Sequence, residues 1–552
     1  MDKERLKIIP LGGLGEIGLN MMLFEYGDSI MVIDAGIMFP EDYMLGVDIV
    51  IPDITYLKEN KEKVKGIILT HGHEDHIGAV PYIVPEITAP IYGTAFTLGL
   101  LEHKLREHKL VDRVSVNRIA PGDRIDIGPF NIEFVRVAHS VVDGVGLAIR
   151  TPVGLVVHTG DFKISQIPVQ GEMTDLARFA AFGEEGVLAL MSDSTNVEKE
   201  GYNISEKEIG NTLENICREC SGRIIIAMFA SNITRIQQVV DIARIFDRKV
   251  VFNGRSIVAS VAIAKELGYI HVAKSQEITI GNVKNTPDEE VVIVTTGSQG
   301  EPMSALNRMA LGSHKQIKIK AGDTVVLSSK FIPGNEKAIA HIINLLYKKG
   351  AEVIYEKVSK IHVSGHAFRE ELKLMINLTK PKHFIAIHGE YRHLVLHGHL
   401  AEQMGIPEKN ILRGEDGRII VFDETGGYVG EKVKTGRILV DGKGVGDVGA
   451  RILRDRRDLS EDGLVIFAMA VDQDTGIVVQ GPEIISRGFV FDPRSHILED
   501  AKCVVLEIIE ERIAQDDHNW EGTKVAIVKA LRNYFFFVIE RRPVIFPVIL
   551  EV

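Results

Sequence analysis

The stretch Thr70-His71-Gly72-His73-Glu74-Asp75-His76-Ile77-Gly78 puts three imidazoles and two carboxylates within six residues, directly after the apolar run Gly66–Leu69. Such a cluster cannot be core and is costly as bare surface, whereas imidazole and carboxylate together suit a zinc-like cation. In an extended loop His71 and His73 point to one side, and Asp75 and His76 can turn toward a neighbouring position. One segment can therefore supply half the ligands of two adjacent ions. The remaining donors must come from elsewhere in the chain. Val137-Ala138-His139-Ser140 closes an alternating run; Leu155–His158 is an apolar strand that runs into Thr159-Gly160-Asp161-Phe162-Lys163; Phe384-Ile385-Ala386-Ile387-His388 again reads as a strand ending in histidine. Sites in α/β folds gather where strands end. On that reading Asp161 is the carboxylate that bridges two ions, and His388 is the missing terminal ligand of the second.

The elements that must position these groups are legible in outline. At 552 residues the chain is too long for one core, and about 150 residues per domain suggests three or four units. Gly13-Leu14-Gly15-Glu16-Ile17-Gly18 imitates a dinucleotide fingerprint, but Asn20–Tyr26 and Ser29–Asp34 read as a hairpin around Gly27-Asp28, leaving no crossover helix for a nucleotide site. Asp34, at the close of its strand, reads as a buried acid that orients the metal loop. Ala95–Glu107 reads as a helix, and Gly186–Met191 as a fourth strand, ending in Ser192-Asp193-Ser194-Thr195-Asn196. From Ser205 to about Val358 helices and strands alternate as in a doubly wound insert. Its glycine and hydroxyl loops can cradle phosphate. Gly426–Gly449 is a glycine-rich linker with short strands. Arg451–Val552 reads as two strands, the helices Ile497–Ala514 and Glu521–Glu540, and a closing strand.

Composition narrows the class. Hydrophobic residues make up 45% and charged residues 25%, no apolar run reaches the ~18–20 residues that span a bilayer, and the start lacks a signal-peptide core, so a cytoplasmic protein without membrane contact is expected. Three cysteines fit a reducing compartment; Cys217 and Cys220 read as helix-buried thiols. A net charge of −12 means that a polyanionic substrate must be held by local basic groups and metal.

The ordered set His71, His73, Asp75, His76, His139, Asp161 and His388 resembles that of metallo-β-lactamase-fold enzymes of the β-CASP group, and over nearly the whole length the chain is similar to the bacterial ribonuclease J family. The stretches that carry the resemblance are Gly12–Gly18, the His71–His76 cluster, His158–Lys163, Ser192–Asn196, Gly297–Pro302 and His388–Arg392. The resemblance implies an α/β fold, an αββα sandwich (1–204, completed by 359–425) interrupted by an α/β β-CASP domain (205–358), then a linker (426–449) and a small α+β C-terminal domain (450–552) used in dimerisation. It assigns His71, His73 and His139 to one Zn²⁺, Asp75, His76 and His388 to the other, and Asp161 to both, with Mn²⁺ or Mg²⁺ able to substitute. Asp75 would also aim the attacking water. His366, oriented by Asp193, would stabilise the transition state or protonate the leaving oxygen. Ser231, Asn232, His362, Val363, Ser364, Gly365 and His366 would contact substrate, with Ser231, Asn232, Ser364 and Gly365 ringing a 5′-monophosphate without a fixed charge. Asp48 and Asp441 would share a structural Ca²⁺, though they read equally as two surface acids. The implied activity is hydrolysis of single-stranded RNA, 5′→3′ from monophosphorylated ends with some endonucleolytic cleavage, by a homodimer or homotetramer working with other components of RNA processing and decay. A thioester or lactam hydrolase on the same fold would not need the large insert.

Overall fold

The computed structural model describes residues 5–552 except 166–172, 302, 332–334, 357–358, 360, 443, 474, 476, 489–495 and 516–519. The described chain falls into two compact units, Met1–Phe39 with Val50–Ile438, and Pro40–Ile49 with Leu439–Val552.

The first unit is built on two sheets packed face to face. One has eight strands in the order Gly426–Lys432, Arg418–Asp423, Leu6–Gly12, Met21–Tyr26, Ser29–Ile33, Val64–Ile68, Ile91–Gly93 and Val116–Arg118; the other has six, in the order His383–Ile387, Val187–Asp193, Gly154–His158, Val145–Thr151, Phe130–Arg136 and Arg124–Ile127. Met21–Tyr26 and Ser29–Ile33 pair antiparallel as the hairpin the sequence predicts, so the glycine run before them opens no crossover helix. Alternate residues of both sheets meet in one core: Phe24 and Met31 from the first, Phe130, Phe134 and Leu147 from the second. Phe24 meets Phe130 edge to face at 6.4 Å, and truncating either ring would cost roughly 3–5 kcal/mol. Helices Leu176–Glu185 and Arg369–Thr379 add Phe179, Phe182, Leu372 and Met375 to the same core, completing the αββα arrangement on that side.

Between the adjacent parallel strands Val187–Asp193 and His383–Ile387 the chain makes a long excursion. It forms a five-stranded parallel sheet ordered Lys249–Asn253, Val291–Thr295, Ile224–Ala227, Thr324–Leu327 and Glu352–Ile354. Both faces are buried, so the strands read as unbroken Ile/Val runs rather than alternating ones. Helix Glu206–Glu219 starts this insert with a capping box from Ser205 and Glu208. Cys217 is buried on that helix, where burial raises its thiol to about 11, and Cys220 caps it and donates to the Thr324 hydroxyl at 3.2 Å.

In the second unit, strands Val478–Arg487, Leu464–Val471 and Val544–Glu551 form a sheet whose core includes Ala501, Val505, Ile527 and Leu531 of helices Ile497–Ala514 and Trp520–Ile539. Of the run Tyr534–Phe537, Phe535 is fully buried, whereas Phe537 is 89% exposed. A further helix, Ala450–Asp462, precedes the sheet and was not foreseen in the sequence; none of its residues is buried. No helix among the described residues is long and apolar enough to cross a membrane.

Candidate metal centre

Five strand ends converge. Thr70–His76 follows Val64–Ile68, with Asp75 and His76 on the short helix Glu74–Ile77 and the His76 ring 4.0 Å from that of His71. His139 follows Phe130–Arg136, Asp161 follows Gly154–His158, Asp193 ends its strand, and His388 follows His383–Ile387. The Thr70–His76 loop is pressed so tightly on the segment after strand Ser29–Ile33 that a Cβ on Gly36 would lie 1.6 Å from the Asp75 carbonyl oxygen.

Hydrogen bonds fix which nitrogen each imidazole offers. His76 Nδ1–H donates to Asp34 Oδ2 (2.8 Å), which also accepts the Thr70 hydroxyl (2.8 Å), while Asp34 Oδ1 accepts the Thr70 N–H (2.8 Å). His71 Nδ1 lies 3.1 Å from the Thr70 hydroxyl. His139 Nδ1–H donates to the Gly365 carbonyl at 2.7 Å, an approach so close that a Cβ on Gly365 would lie 2.5 Å from the ring. His388 Nδ1–H donates to Thr195 Oγ1 (2.6 Å), whose own proton goes to Asp193 Oδ1 (2.8 Å). The outer Nδ1 atoms of His76, His139 and His388 thus each hold a proton, and their Nε2 atoms face inward. His71 Nε2 lies 3.1 Å and His139 Nε2 3.2 Å from His73 Nδ1.

Asp161 Oδ2 sits among these nitrogens: His76 Nε2 at 3.3 Å, His388 Nε2 at 3.5 Å, His71 Nε2 at 3.6 Å, and His139 Nε2 and His366 Nδ1 at 3.8 Å. It is buried without a hydrogen-bond partner. Asp75 Oδ2 lies 3.3 Å from His388 Nε2 and 3.7 Å from His76 Nε2. Two donor groups result, His71, His73, His139 and Asp161, and Asp75, His76 and His388; Asp161 also groups with Asp193, His366 and His388. Lone pairs aimed at one another and an orphaned carboxylate oxygen are what a cation satisfies, so the residues fit divalent metal.

The electrostatics follow the same division. Burial drives His71 and His139 well below the usual imidazole range and takes His73 to about 4. Burial also opposes charge on His76 and His388, yet Asp161 and Asp75 outweigh it, holding His76 well above its ordinary value and His388 at about 9. Burial disfavours ionised Asp161 and Asp75 too, but His388 and His76 hold both below the normal carboxylate range. A cation bound there takes over the charge that the His76 and His388 protons supply.

Around this centre, His366 Nδ1 lies 2.8 Å from Asp193 Oδ2. Ser364 Oγ accepts from Asn196 Nδ2 (2.6 Å), Val363 is buried, and His362 Nδ1 is buried without a partner. Ser231 and Asn232 precede helix Ile233–Ile245; the Asn232 side-chain oxygen caps it, and Arg235 from its first turn reaches the Ile361 carbonyl at 3.0 Å, joining the helix to the 361–366 loop. In the second unit Asp48 Oδ2 accepts the Gly442 N–H (2.7 Å) and Asp441 pairs with Arg456.

Sequence reasoning passed over several residues at the centre. Asn20 Nδ2 donates to the Asp75 carbonyl at 3.0 Å and lies 3.2 Å from His76 Nε2; an amide directly after the glycine-rich Gly12–Gly18 run was the available signal. Thr195 and Asn196 lie in the quoted motif, yet no local pattern ties them to residues some 170–190 positions away. The buried trio Lys163, Glu206 and Arg235 was also invisible: Glu206 accepts from Lys163 Nζ (3.0 Å) and from Arg235 Nη2 (2.5 Å), linking the Asp161 loop to the insert.

Fold and site together define a divalent-metal hydrolase of the metallo-β-lactamase superfamily, whose model matches residues 14–176. Residues 221–346 match the ribonuclease J β-CASP domain, 350–411 a Zn-dependent metallo-hydrolase RNA specificity domain, and 451–552 the ribonuclease J C-terminal domain. The chain is 43% identical over 551 residues to ribonuclease J 1 of Streptococcus pyogenes serotype M3, covering 100% of this chain and 98% of that one. It is 42% identical over 552 residues to ribonuclease J2 of Bacillus subtilis (100% and 99%) and 43% over 557 residues to ribonuclease J of Thermus thermophilus (100% and 96%). The chain belongs to the ribonuclease J family. A solved structure, a protein of unknown function from Enterococcus faecalis V583, shares the fold with a TM-score of 0.55 at 18% identity, covering 76% of this chain and all of that one.

Proposed function

We propose that this chain is a metal-dependent ribonuclease that hydrolyses phosphodiester bonds of single-stranded RNA, 5′→3′ from 5′-monophosphate ends with additional endonucleolytic cleavage, in RNA processing and decay. The observation that carries this reading is the convergence of His76, His388, His71, His139 and His366 nitrogens within 3.3–3.8 Å of one unpartnered Asp161 oxygen. Two Zn²⁺ ions held there, with Mn²⁺ or Mg²⁺ as substitutes, would make water nucleophilic near neutral pH and neutralise charge on the phosphodiester.

The protein's own groups do the rest. Asp75 points one carboxylate oxygen toward His76 and His388 and is held ionised, so it can accept a hydrogen bond from the attacking water or hydroxide and orient it. His366 keeps Nδ1–H on Asp193, which leaves Nε2 to hydrogen-bond the phosphate oxygens or to deliver a proton to the leaving oxygen. Ser231, Asn232, His362, Val363, Ser364 and Gly365 are read as the contacts to the 5′ nucleotide and its phosphate, supported by the Arg235 link between their two segments. The chain is further read as a cytoplasmic homodimer or homotetramer that works beside other RNA-decay proteins. A Ca²⁺ at Asp48 and Asp441 would have to displace Arg456 from Asp441.

One labelled RNA prepared with a 5′-monophosphate and with a 5′-triphosphate tests the reading. Metal-loaded protein should release nucleotides faster from the monophosphate form. Equal rates overturn the end preference, and no turnover of either overturns the ribonuclease assignment.

A further inference from the structure

Three segments that carry or follow residues of the centre meet on one buried carboxylate. Glu371, in the first turn of helix Arg369–Thr379, has no exposed surface. Its Oε1 accepts the Ile164 N–H at 2.7 Å, and its Oε2 accepts the N–H groups of Phe368 (2.7 Å) and Asn203 (3.2 Å). Ile164 lies on the loop that starts at Asp161, and Phe368 on the loop that carries His366. Lys163, next to Ile164, turns its ammonium to Glu206 instead, at 3.0 Å. Both oxygens of Glu371 are therefore spent on backbone.

Further bonds join the same segments. Asn203 Nδ2 donates to the His366 carbonyl at 2.8 Å, and Asn196 Nδ2 donates to the same oxygen at 3.1 Å. The Arg369 and Glu370 N–H groups reach the Lys199 and Gly201 carbonyls at 2.9 and 3.2 Å. The Lys163 N–H donates to the Ala138 carbonyl at 2.8 Å, which ties the residue before His139 to the Asp161 loop. Across this arrangement His366 Nδ1 comes to lie 3.8 Å from Asp161 Oδ2. The Phe368 N–H alone would complete an ordinary helix cap. Ile164 and Asn203, 207 and 168 positions away from Glu371, have no part in capping.

We propose that Glu371 is a positioning residue for the pair Asp161 and His366. One oxygen holds the loop after Asp161, the other holds the loop of His366, and the carboxylate between them sets how far the imidazole stands from the central carboxylate of the metal site. The inference rests on the reading of His366 as the group that acts on the phosphate.

Glu371→Gln keeps the shape and leaves one acceptor oxygen, so it holds either Ile164 or the Phe368 and Asn203 pair, and its NH₂ group faces an N–H on the other side. The link between the two loops is cut in either case. The Asp161 loop keeps its anchors at Lys163, so what drifts is the placing of His366 relative to it. A displacement of about 1 Å costs about 10²-fold in rate. At saturating metal, kcat on 5′-monophosphate RNA should fall about 10–100-fold in the parent background. In a His366→Ala background, where no imidazole remains to be misplaced, the loss should shrink to about twofold or less. In crystals of the metal-loaded variant the His366 Nδ1 to Asp161 Oδ2 separation should differ from the parent's by about 1 Å. Asn203→Ala removes one donor from the His366 carbonyl and leaves Glu371 in place; it goes through the same cycle if Glu371→Gln does not fold. Equal losses in the two backgrounds, or an unmoved His366, overturn the proposal. A displaced His366 in a protein that leaves RNA intact sinks the ribonuclease reading and leaves the clamp standing, whereas RNA turnover with equal losses does the reverse.

Discussion

Replacing Asp34 with asparagine changes one atom beside the centre and has a calculable effect. Asp34 Oδ2 receives the His76 Nδ1 proton and the Thr70 hydroxyl proton, both at 2.8 Å. In Asp34→Asn the amide NH₂ occupies that position while the carbonyl keeps the Thr70 N–H, so His76 must carry its proton on Nε2, the nitrogen 3.3 Å from Asp161. A lone pair aimed at the cation site is thereby replaced by an N–H. Losing one charge-assisted hydrogen bond costs roughly 1.5–3 kcal/mol. Removing the partner that orients a ligating histidine typically costs about 10–100-fold in metal affinity or activity, or about 1.4–2.7 kcal/mol at 1.36 kcal/mol per decade. The two routes agree. Asparagine tolerates the left-handed φ of 61° at this position, whereas alanine would add about 1–2 kcal/mol of backbone strain. The assay is zinc retained against a chelator, with kcat/KM at saturating metal and thermal unfolding of the metal-free protein alongside. Metal held as tightly as by the parent, or a loss confined to metal-free stability, would show that Asp34 serves the fold and not the ligand.

His366→Ala should lower kcat on RNA by about 10²–10⁴ with little change in KM, and Asp193→Asn should lower it less, because the imidazole stays but loses its orienting acceptor; steady-state kinetics with metal content checked decides both. Glu206→Gln leaves Lys163 and Arg235 buried without their counter-charge and should cost roughly 3–5 kcal/mol in urea unfolding. Burial raises the Glu206 pKa, but Lys163 and Arg235 hold it at about 2, against 4.5 for the free side chain. A depressed carboxylate contributes stability that is complete above pH 4.5 and is lost as pH falls toward 2, here about 3 kcal/mol. The gap in stability between parent and Glu206→Gln should therefore narrow across that window in pH-dependent unfolding.

What the sequence revealed and what it hid separate along a physical line. The candidate donors were legible because a ligand must be a particular side chain: His71 to His76 announce themselves by type and spacing, and His139, Asp161 and His388 by ending apolar runs, and the structure brings them together. The strands and the alternating insert were legible because burial on one face or both leaves a pattern in the apolar residues, as in Phe130–Arg136 and Val291–Thr295, whereas the αββα layering came from the resemblance. Helix Ala450–Asp462 was not foreseen: it is rich in charged residues and none of its residues is buried. Nor were the contacts that orient the ligands. Thr195 meets His388 across 193 positions and Lys163 meets Glu206 across 43; each pairing is made by the sheets and not by any local pattern.

Strands Val187–Asp193 and His383–Ile387 lie side by side although the whole parallel insert is threaded between them. Translation runs from the amino end, so a chain still emerging from the ribosome presents His71, His73, His139 and Asp161 long before His388 exists. On the proposed ligand assignment, such a half-made molecule has the donors for one ion and lacks a ligand of the second, so the paired centre waits on the strand that follows the insert.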